Sequence, residues 1–162
     1  MKYTVFNTPA GWIGLLASET GLRGTTLPQP TAEATLALLG RQVAQAEMDP
    51  AAFAGLVDRF QAYFKGERVA FDDQLDLSGT PFQQAVWTVT RRIGYGETRT
   101  YRWVASEVGR PLGARAVGQA LGANPLPLVV PCHRVIGSNG ALAGFGGGIE
   151  MKRYLLRLEQ GG

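Results

Sequence analysis

The stretch ARAVGQALGANPLPLVVPCHRVIG, residues 114–137, decides the reading of this chain. Its first third has a helical pattern over 114–121, closed by Gly122 and the Asn124-Pro125 turn. An apolar run comes next and delivers Cys132 and His133 back to back, bounded by Pro131 and the run Arg134-Val135-Ile136-Gly137. These are the only cysteine and the only histidine in 162 residues. A thiol is a nucleophile only as thiolate, and its free pKa of about 8.5 leaves it mostly protonated at neutral pH. His133 and Arg134 supply a base and a positive charge, the group types that activate a thiol. The competing reading is a small buried hydrophobe. Because side chains at i and i+1 diverge, a water-bridged Cys132–His133 contact is expected rather than a direct one. A cysteine hydrolase would bring its histidine from a distant segment, and no second histidine exists.

Upstream, 101–108 forms a second short helix, joined to 114–121 by Gly109-Arg110-Pro111-Leu112-Gly113, which reads as a helix-turn-helix. Ala114, Gly118 and Gly122 recur at i, i+4 and i+8, leaving one face of the second helix nearly bare, with Arg115 and Gln119 beside it. A major-groove reader carries several base-contacting side chains. A smooth face with one arginine suits close, sequence-indifferent approach to a minor groove, with Arg115 wedging into the base stack. The alternative is a small-residue helix–helix seam. Thr80-Pro81-Phe82-Gln83 is a capping box opening a further helix, with Phe82, Val86, Trp87 and Val89 facing inward. Downstream, the glycine-rich 137–148 lacks a phosphate-loop ending and suits backbone approach to a flat ligand, Phe145 serving as lid. A last helix over 149–159 carries Leu155, Leu156 and Leu158.

The first half differs. Segments 2–6, 12–17 and 22–27 alternate or run apolar between turn signals, predicting a small antiparallel meander. An alanine-rich helix is predicted over 31–47, and Asp49-Pro50 opens another reaching Phe64, with Phe53, Leu56, Val57, Phe60 and Phe64 as its buried stripe. The pattern loosens between Gly66 and Gly79, which places a domain boundary near 75: residues 1–75 and 76–162. The fold class is α+β, a small sheet-containing N-terminal domain followed by a mostly helical domain with a helix-turn-helix.

Charge divides along the same line. Residues 1–80 carry six Lys/Arg against nine Asp/Glu, net −3, and residues 81–162 carry ten against four, net +6. The second half therefore suits a polyanion. A lone cysteine excludes an internal disulfide, and with one histidine a Cys/His metal site is not expected. Neither a membrane-spanning run nor a signal-peptide pattern is found, so a cytoplasmic protein without membrane contact is expected.

TPFQQAVW (80–87), GYGETRTYRWVA (94–105), the quoted 114–137 stretch and the LLRLE end (155–159) resemble the O6-alkylguanine-DNA alkyltransferases, PCHRV being the most specific run. The resemblance implies a ribonuclease-H-like N-terminal sheet, no cofactor and no metal. It implies a monomer acting on double-stranded DNA containing alkylated guanine, with cooperativity on DNA left open. Alkyl groups on O6-guanine, and on O4-thymine, would pass irreversibly and once to Cys132 from a flipped-out base. His133 would be the base, acting through water and oriented by Glu159 rather than by the nearer Glu150. Tyr101 would help rotate the nucleotide and hydrogen-bond or protonate the departing base. Arg115 would fill the gap left in the duplex, and Ala114, Gly118, Gln119 and Gly122 would line the DNA contact. Asn124 would tie the recognition helix to the active-site turn. Val135 and Cys132 backbone groups would read the guanine edge, and Phe145, Gly146 and Gly147 would form the pocket wall. Phe145 and Gly146 depart from the family's usual tyrosine and Ser/Ala, which bears on substrate size. Lesion-flagging relatives, alkylation-sensing regulators and plain DNA-binding modules are the rivals. The first class replaces the cysteine, and the second needs a further domain.

Overall fold

The computed structural model describes residues 1–142 and 148–161, which divide into two compact units, Met1–Leu77 and Ser78–Gly162.

In the first unit, β1 (Lys2–Thr8) and β2 (Gly11–Ala17) form an antiparallel hairpin, and β3 (Leu22–Thr25) pairs antiparallel with β2. The hairpin turn is locked by the Thr8 hydroxyl, which donates to the Gly11 carbonyl at 2.8 Å. Glycine is required at 11: its φ is +133°, and a Cβ would lie 2.7 Å from the Gln29 carbonyl oxygen. β2 is buried on both faces over Ile13–Leu16. Helix α1 (Ala32–Leu39) lies against Gly14, where a Cβ would collide with Thr35 and Leu39.

The predicted 31–47 helix is half its expected length. Gly40 takes φ +83° and ends α1, a 3-10 turn covers Arg41–Gln45, and Glu47–Met48 becomes β4, a parallel edge strand on β1. The alanine content favours a helix, but Gly40 breaks it and the sheet edge claims Glu47 and Met48. The sheet order is β3-β2-β1-β4.

Asp49 caps a 3-10 turn, accepting from the Ala52 N–H, and the turn runs into α2 (Ala54–Phe64). The buried stripe of this helix is Leu56, Phe60, Tyr63 and Phe64; Val57 is only half-buried, and Tyr63 takes the place expected for it. Phe60 stacks on Phe71 with centroids 4.6 Å apart. The loosened 66–79 stretch is tied down by backbone pairing. The Leu22 N–H donates to the Gln74 carbonyl and the Asp76 N–H to the Leu22 carbonyl. Asp76 also accepts from Arg23 at 3.1 Å, so the first unit continues two residues past 75.

In the second unit, Thr80 and Gln83 form the capping box of α3 (Pro81–Thr90). Val86, Trp87 and Val89 are buried as expected, but Phe82 is only half-buried and lies under the Arg110 guanidinium at 4.8 Å. The Trp87 indole N–H donates to the Ala120 carbonyl, fixing α3 against the helix over Ala114–Gly122. Helix α4 (Tyr101–Glu107) precedes that helix, α5, and the tight connection between them completes the helix-turn-helix. Two-residue strands β5 (Arg99–Thr100) and β6 (Val135–Ile136) pair in parallel, Arg99 opposite Val135. This short ladder sets the start of α4 beside the chain just after Cys132. Helix α6 (Ile149–Glu159) closes the described chain. Among the described residues no helix is long and apolar enough to cross a membrane.

Candidate active site

Cys132 sits on a single 3-10 turn, Cys132–Arg134, at the end of the apolar loop 124–131. Asn124, just past the C-terminus of α5, organises that loop. Its amide nitrogen donates to the Val130 carbonyl at 2.9 Å and to Cys132 Sγ at 3.4 Å, while its Oδ1 accepts from the Leu126 N–H at 2.9 Å. Asn124 thus fastens the recognition-type helix to the turn that carries the thiol. Leu128, buried in this loop, has φ +77°, the only positive φ of a non-glycine among the described residues. Such a conformation costs about 1–2 kcal/mol and persists only where surrounding contacts enforce it.

Cys132 is buried, 8% exposed. Burial pushes its thiol above the ordinary value. The Asn124 hydrogen bond, the Lys152 charge and the N–H groups of Cys132 and His133 pull the other way without cancelling it. In the free protein the thiol is therefore held protonated, with the groups that would stabilise the thiolate already in place.

His133 is 1% exposed, and its Nε2 lies 2.6 Å from Glu159 Oε2. Arg134 does not face the thiol, as its sequence position suggests it would. Its Nε donates to Glu159 Oε1 at 2.8 Å, its Nη2 to Oε2 at 3.1 Å, and its Nη1 to the Ile93 carbonyl at 2.8 Å. The Gly96 N–H adds a further bond to Oε1 at 3.2 Å. Burial alone would raise the Glu159 carboxyl, but the His133 and Arg134 hydrogen bonds and charges hold it well below the usual carboxylate range. Burial holds His133 below its ordinary value despite the Glu159 contact, with the Arg134 and Lys152 charges assisting. The pair is thus a neutral imidazole whose Nε2–H donates to a carboxylate already neutralised by Arg134. This tautomer makes Nδ1 an acceptor, and Nδ1 is buried without a hydrogen-bond partner among the described residues. Glu150 is exposed and paired to Arg153 at 2.6 Å, away from the histidine.

Tyr101, half-buried at the start of α4, and Lys152, fully buried on α6, complete the cluster. Lys152 Nζ donates to the Tyr101 hydroxyl oxygen at 3.3 Å. Sequence reasoning misses Lys152, although its signal is present. Residues 152, 155 and 159 share one helical face, and Leu155 and Glu159 are both buried there.

On α5, Arg115, Gln119 and Gly122 are exposed or half-buried, as are Ala114 and Gly118. Among the described residues, a Cβ at Gly118 would come no nearer than 3.8 Å to the Tyr101 ring, and one at Gly122 would meet nothing. The bare face is therefore open to approach rather than filled by a neighbouring helix. Val135 is buried on β6. Phe145, Gly146 and Gly147 lie outside the described residues. Among the described residues no group of three or more His, Cys, Asp or Glu gathers as a metal-ligand set.

Comparison with known proteins points one way. Residues 1–77 match the family model described as "6-O-methylguanine DNA methyltransferase, ribonuclease-like domain", and residues 81–161 match "6-O-methylguanine DNA methyltransferase, DNA binding domain". A methylated-DNA–protein-cysteine methyltransferase of Methanosarcina acetivorans is 40% identical over 159 residues, 98% of either chain. The protein of that name from Mycobacterium bovis is 57% identical over 112 residues, 69% of this chain and 68% of its own. The crystal structure of Mycobacterium tuberculosis OGT in complex with DNA superposes with a TM-score of 0.84 at 44% identity, covering 99% of this chain and 93% of that one. From both halves of its sequence and from its fold, this chain belongs to the 6-O-methylguanine DNA methyltransferase family.

Proposed function

We propose that the protein repairs duplex DNA by moving the alkyl group of O6-alkylguanine, and of O4-alkylthymine, onto Cys132. The observation that carries this reading is the buried chain of contacts at the thiol: Asn124 on Sγ, and His133 adjacent, its Nε2 bonded to Glu159. His133 Nδ1 takes the thiol proton through one water, and Glu159 holds the imidazole in the required tautomer. Sγ attacks the alkyl carbon. The C–S bond forms as the C–O bond breaks, and the electron pair leaves with guanine, which is reprotonated. The thioether has no partner able to reverse it, so each molecule acts once.

The target atom lies inside the base stack, so the nucleotide is flipped out at a cost of about a few kcal/mol. Arg115 occupies the gap, while the bare face through Ala114, Gly118 and Gly122, with Gln119, lets α5 approach the groove closely. Tyr101 turns the nucleotide and donates to the departing base, and Val135 and Cys132 backbone groups read its edge. The protein works as a monomer in the cytoplasm.

Intact and peptide mass spectrometry after mixing with an O6-methylguanine duplex tests this. One methyl per molecule on Cys132, with guanine restored, is expected. Tight binding without added mass would replace repair by lesion flagging.

A further inference from the structure

Glu159 is the last residue of α6, where the negative end of the helix dipole disfavours a carboxylate. The donors that hold it ionised there include His133, Arg134 and one backbone group, the Gly96 N–H. Gly96 lies in the turn between α3 and β5. The residue after Glu159, Gln160, is exposed, and its position alone marks it as a solvated helix end. Its Nε2 nevertheless donates to the Gly96 carbonyl at 2.9 Å, 64 residues back along the chain. Glu159 and Gln160 thus clasp one glycine from two sides, the first through its N–H and the second through its carbonyl. The approach is close: Gly96 has φ +77°, and a Cβ there would lie 3.3 Å from the Glu159 backbone carbonyl oxygen. The same turn meets Arg134, whose Nη1 donates to the Ile93 carbonyl and whose guanidinium lies 5.8 Å from the Tyr95 ring centroid. The turn is also closed on itself, the Glu97 N–H donating to the Gly94 carbonyl and the Gly94 N–H to Glu97 Oε1.

We propose that Gln160 is a positioning residue for alkyl transfer: it seats Gly96 so that the Gly96 N–H fixes the Glu159 carboxylate against His133. This rests on the alkyl-transfer reading above, and Gln160 acts at one remove from the thiol. With the Gly96 carbonyl released, the turn can move off α6, and Oε1 loses that donor while Oε2 keeps His133. The carboxylate then turns more of its charge on the imidazole and draws a proton onto Nδ1. That removes the acceptor for the thiol proton. The titratable and charged groups facing His133 are Cys132, Arg134, Lys152 and Glu159, and Glu159 is the one joined to Gly96. Glutamine is neutral, so replacing it by alanine changes no charge, and any change at His133 comes through the seating of the carboxylate.

The test follows single-turnover methyl transfer from an O6-methylguanine duplex against pH in Gln160→Ala and Gln160→Glu. Gln160→Ala should slow transfer near neutral pH by about 3- to 10-fold, the hold of one hydrogen bond. The acid limb of its profile should move upward, with one methyl per molecule still transferred. Gln160→Glu keeps the length but, when ionised, sets an acceptor against the Gly96 carbonyl, so it should slow transfer more. A second readout needs no DNA. His133 is the only histidine in the chain, so its imidazole nitrogens give the only histidine signals in a nitrogen-correlated NMR spectrum. Wild type should show the neutral Nε2–H form at about pH 6, and Gln160→Ala should show added imidazolium. In a Glu159→Ala background, Gln160→Ala should cause no further slowing; if that background does not fold, the His133 signals decide. Wild-type rates in both variants, unchanged His133 signals, fewer methyls per molecule at an unchanged rate, or the same slowing in Glu159→Ala would each overturn the proposal. A wild-type protein that gains no methyl overturns the alkyl-transfer reading itself, and the His133 signals then still show whether the clasp holds the imidazole.

Discussion

Glu159 accepts from His133, Arg134 and the Gly96 N–H at once, and its loss separates two roles of one carboxylate. Glu159→Gln leaves Arg134 buried without its counter-charge, which costs about 3–5 kcal/mol for pairs of this kind. It also lets the imidazole lose its tautomer, so methyl transfer is expected to slow by about 10²-fold or more. Adding Arg134→Met removes the stranded cation, so denaturant unfolding should recover much of the lost stability while the transfer rate stays low. Joint recovery of both would mean that Glu159 acts only through folding. Asn124 gives a second residue-scale test. Its hydrogen bond to Sγ pulls the buried thiol down. Asn124→Ala should therefore move the pH midpoint of iodoacetamide alkylation upward, and an unchanged midpoint would confine Asn124 to holding the loop.

Helix α5 is where sequence pattern and three-dimensional use can be separated. Gly118 lies inside the helix, where glycine costs about 1 kcal/mol relative to alanine, and a Cβ there makes only ordinary contact with the Tyr101 ring. Gly118→Ala should therefore raise thermal stability while weakening duplex binding, because the added methyl stands on the face that approaches DNA. A stabilised variant with unchanged DNA affinity would remove that face from the interface. Arg115→Ala should slow repair of duplex far more than reaction with a free alkylguanine base. Equal slowing on both substrates would exclude a role inside the stack.

The same elements show how far local sequence reaches. Caps, glycine stops and period-3.6 faces mark α3, α4, α5 and α6 because each signal acts within a few residues. Alanine propensity over-extends the 31–47 helix because it takes no account of Gly40 or of the distant edge of β1. Adjacency to Cys132 suggests an Arg134 at the thiol, yet it says nothing about which way a long side chain turns; the carboxylate partner is 25 residues away. Lys152 looks like a solvated helix charge until its face is set beside Leu155 and Glu159.

At the scale of the whole molecule, charge and protonation set the conditions under which the protein works. The net +6 of residues 81–162 against −3 for residues 1–80 makes duplex affinity salt-dependent. Acid acts on the interior instead. His133 is the only histidine in the chain, and burial holds it below its ordinary value in the folded protein. The unfolded chain, whose histidine titrates near about 6.5, thus takes up a proton that the folded one refuses. Unfolding is favoured progressively as the pH falls below that value, and the stabilisation is complete above it. Glu159 has the same sign at lower pH: its folded carboxyl lies below the unfolded value of about 4.3, so its contribution disappears as the pH drops through and beneath that point. The unfolding free energy of the second unit, measured by hydrogen exchange of its peptides in denaturant, should be level from about pH 7 to 8 and decline in two stages on acidification. In His133→Asn the free energy should be lower throughout, yet level down to about pH 4.5. Persistence of the upper stage in a chain with no histidine would show that the acid sensitivity lies outside the site, and that the folded imidazole is not held neutral.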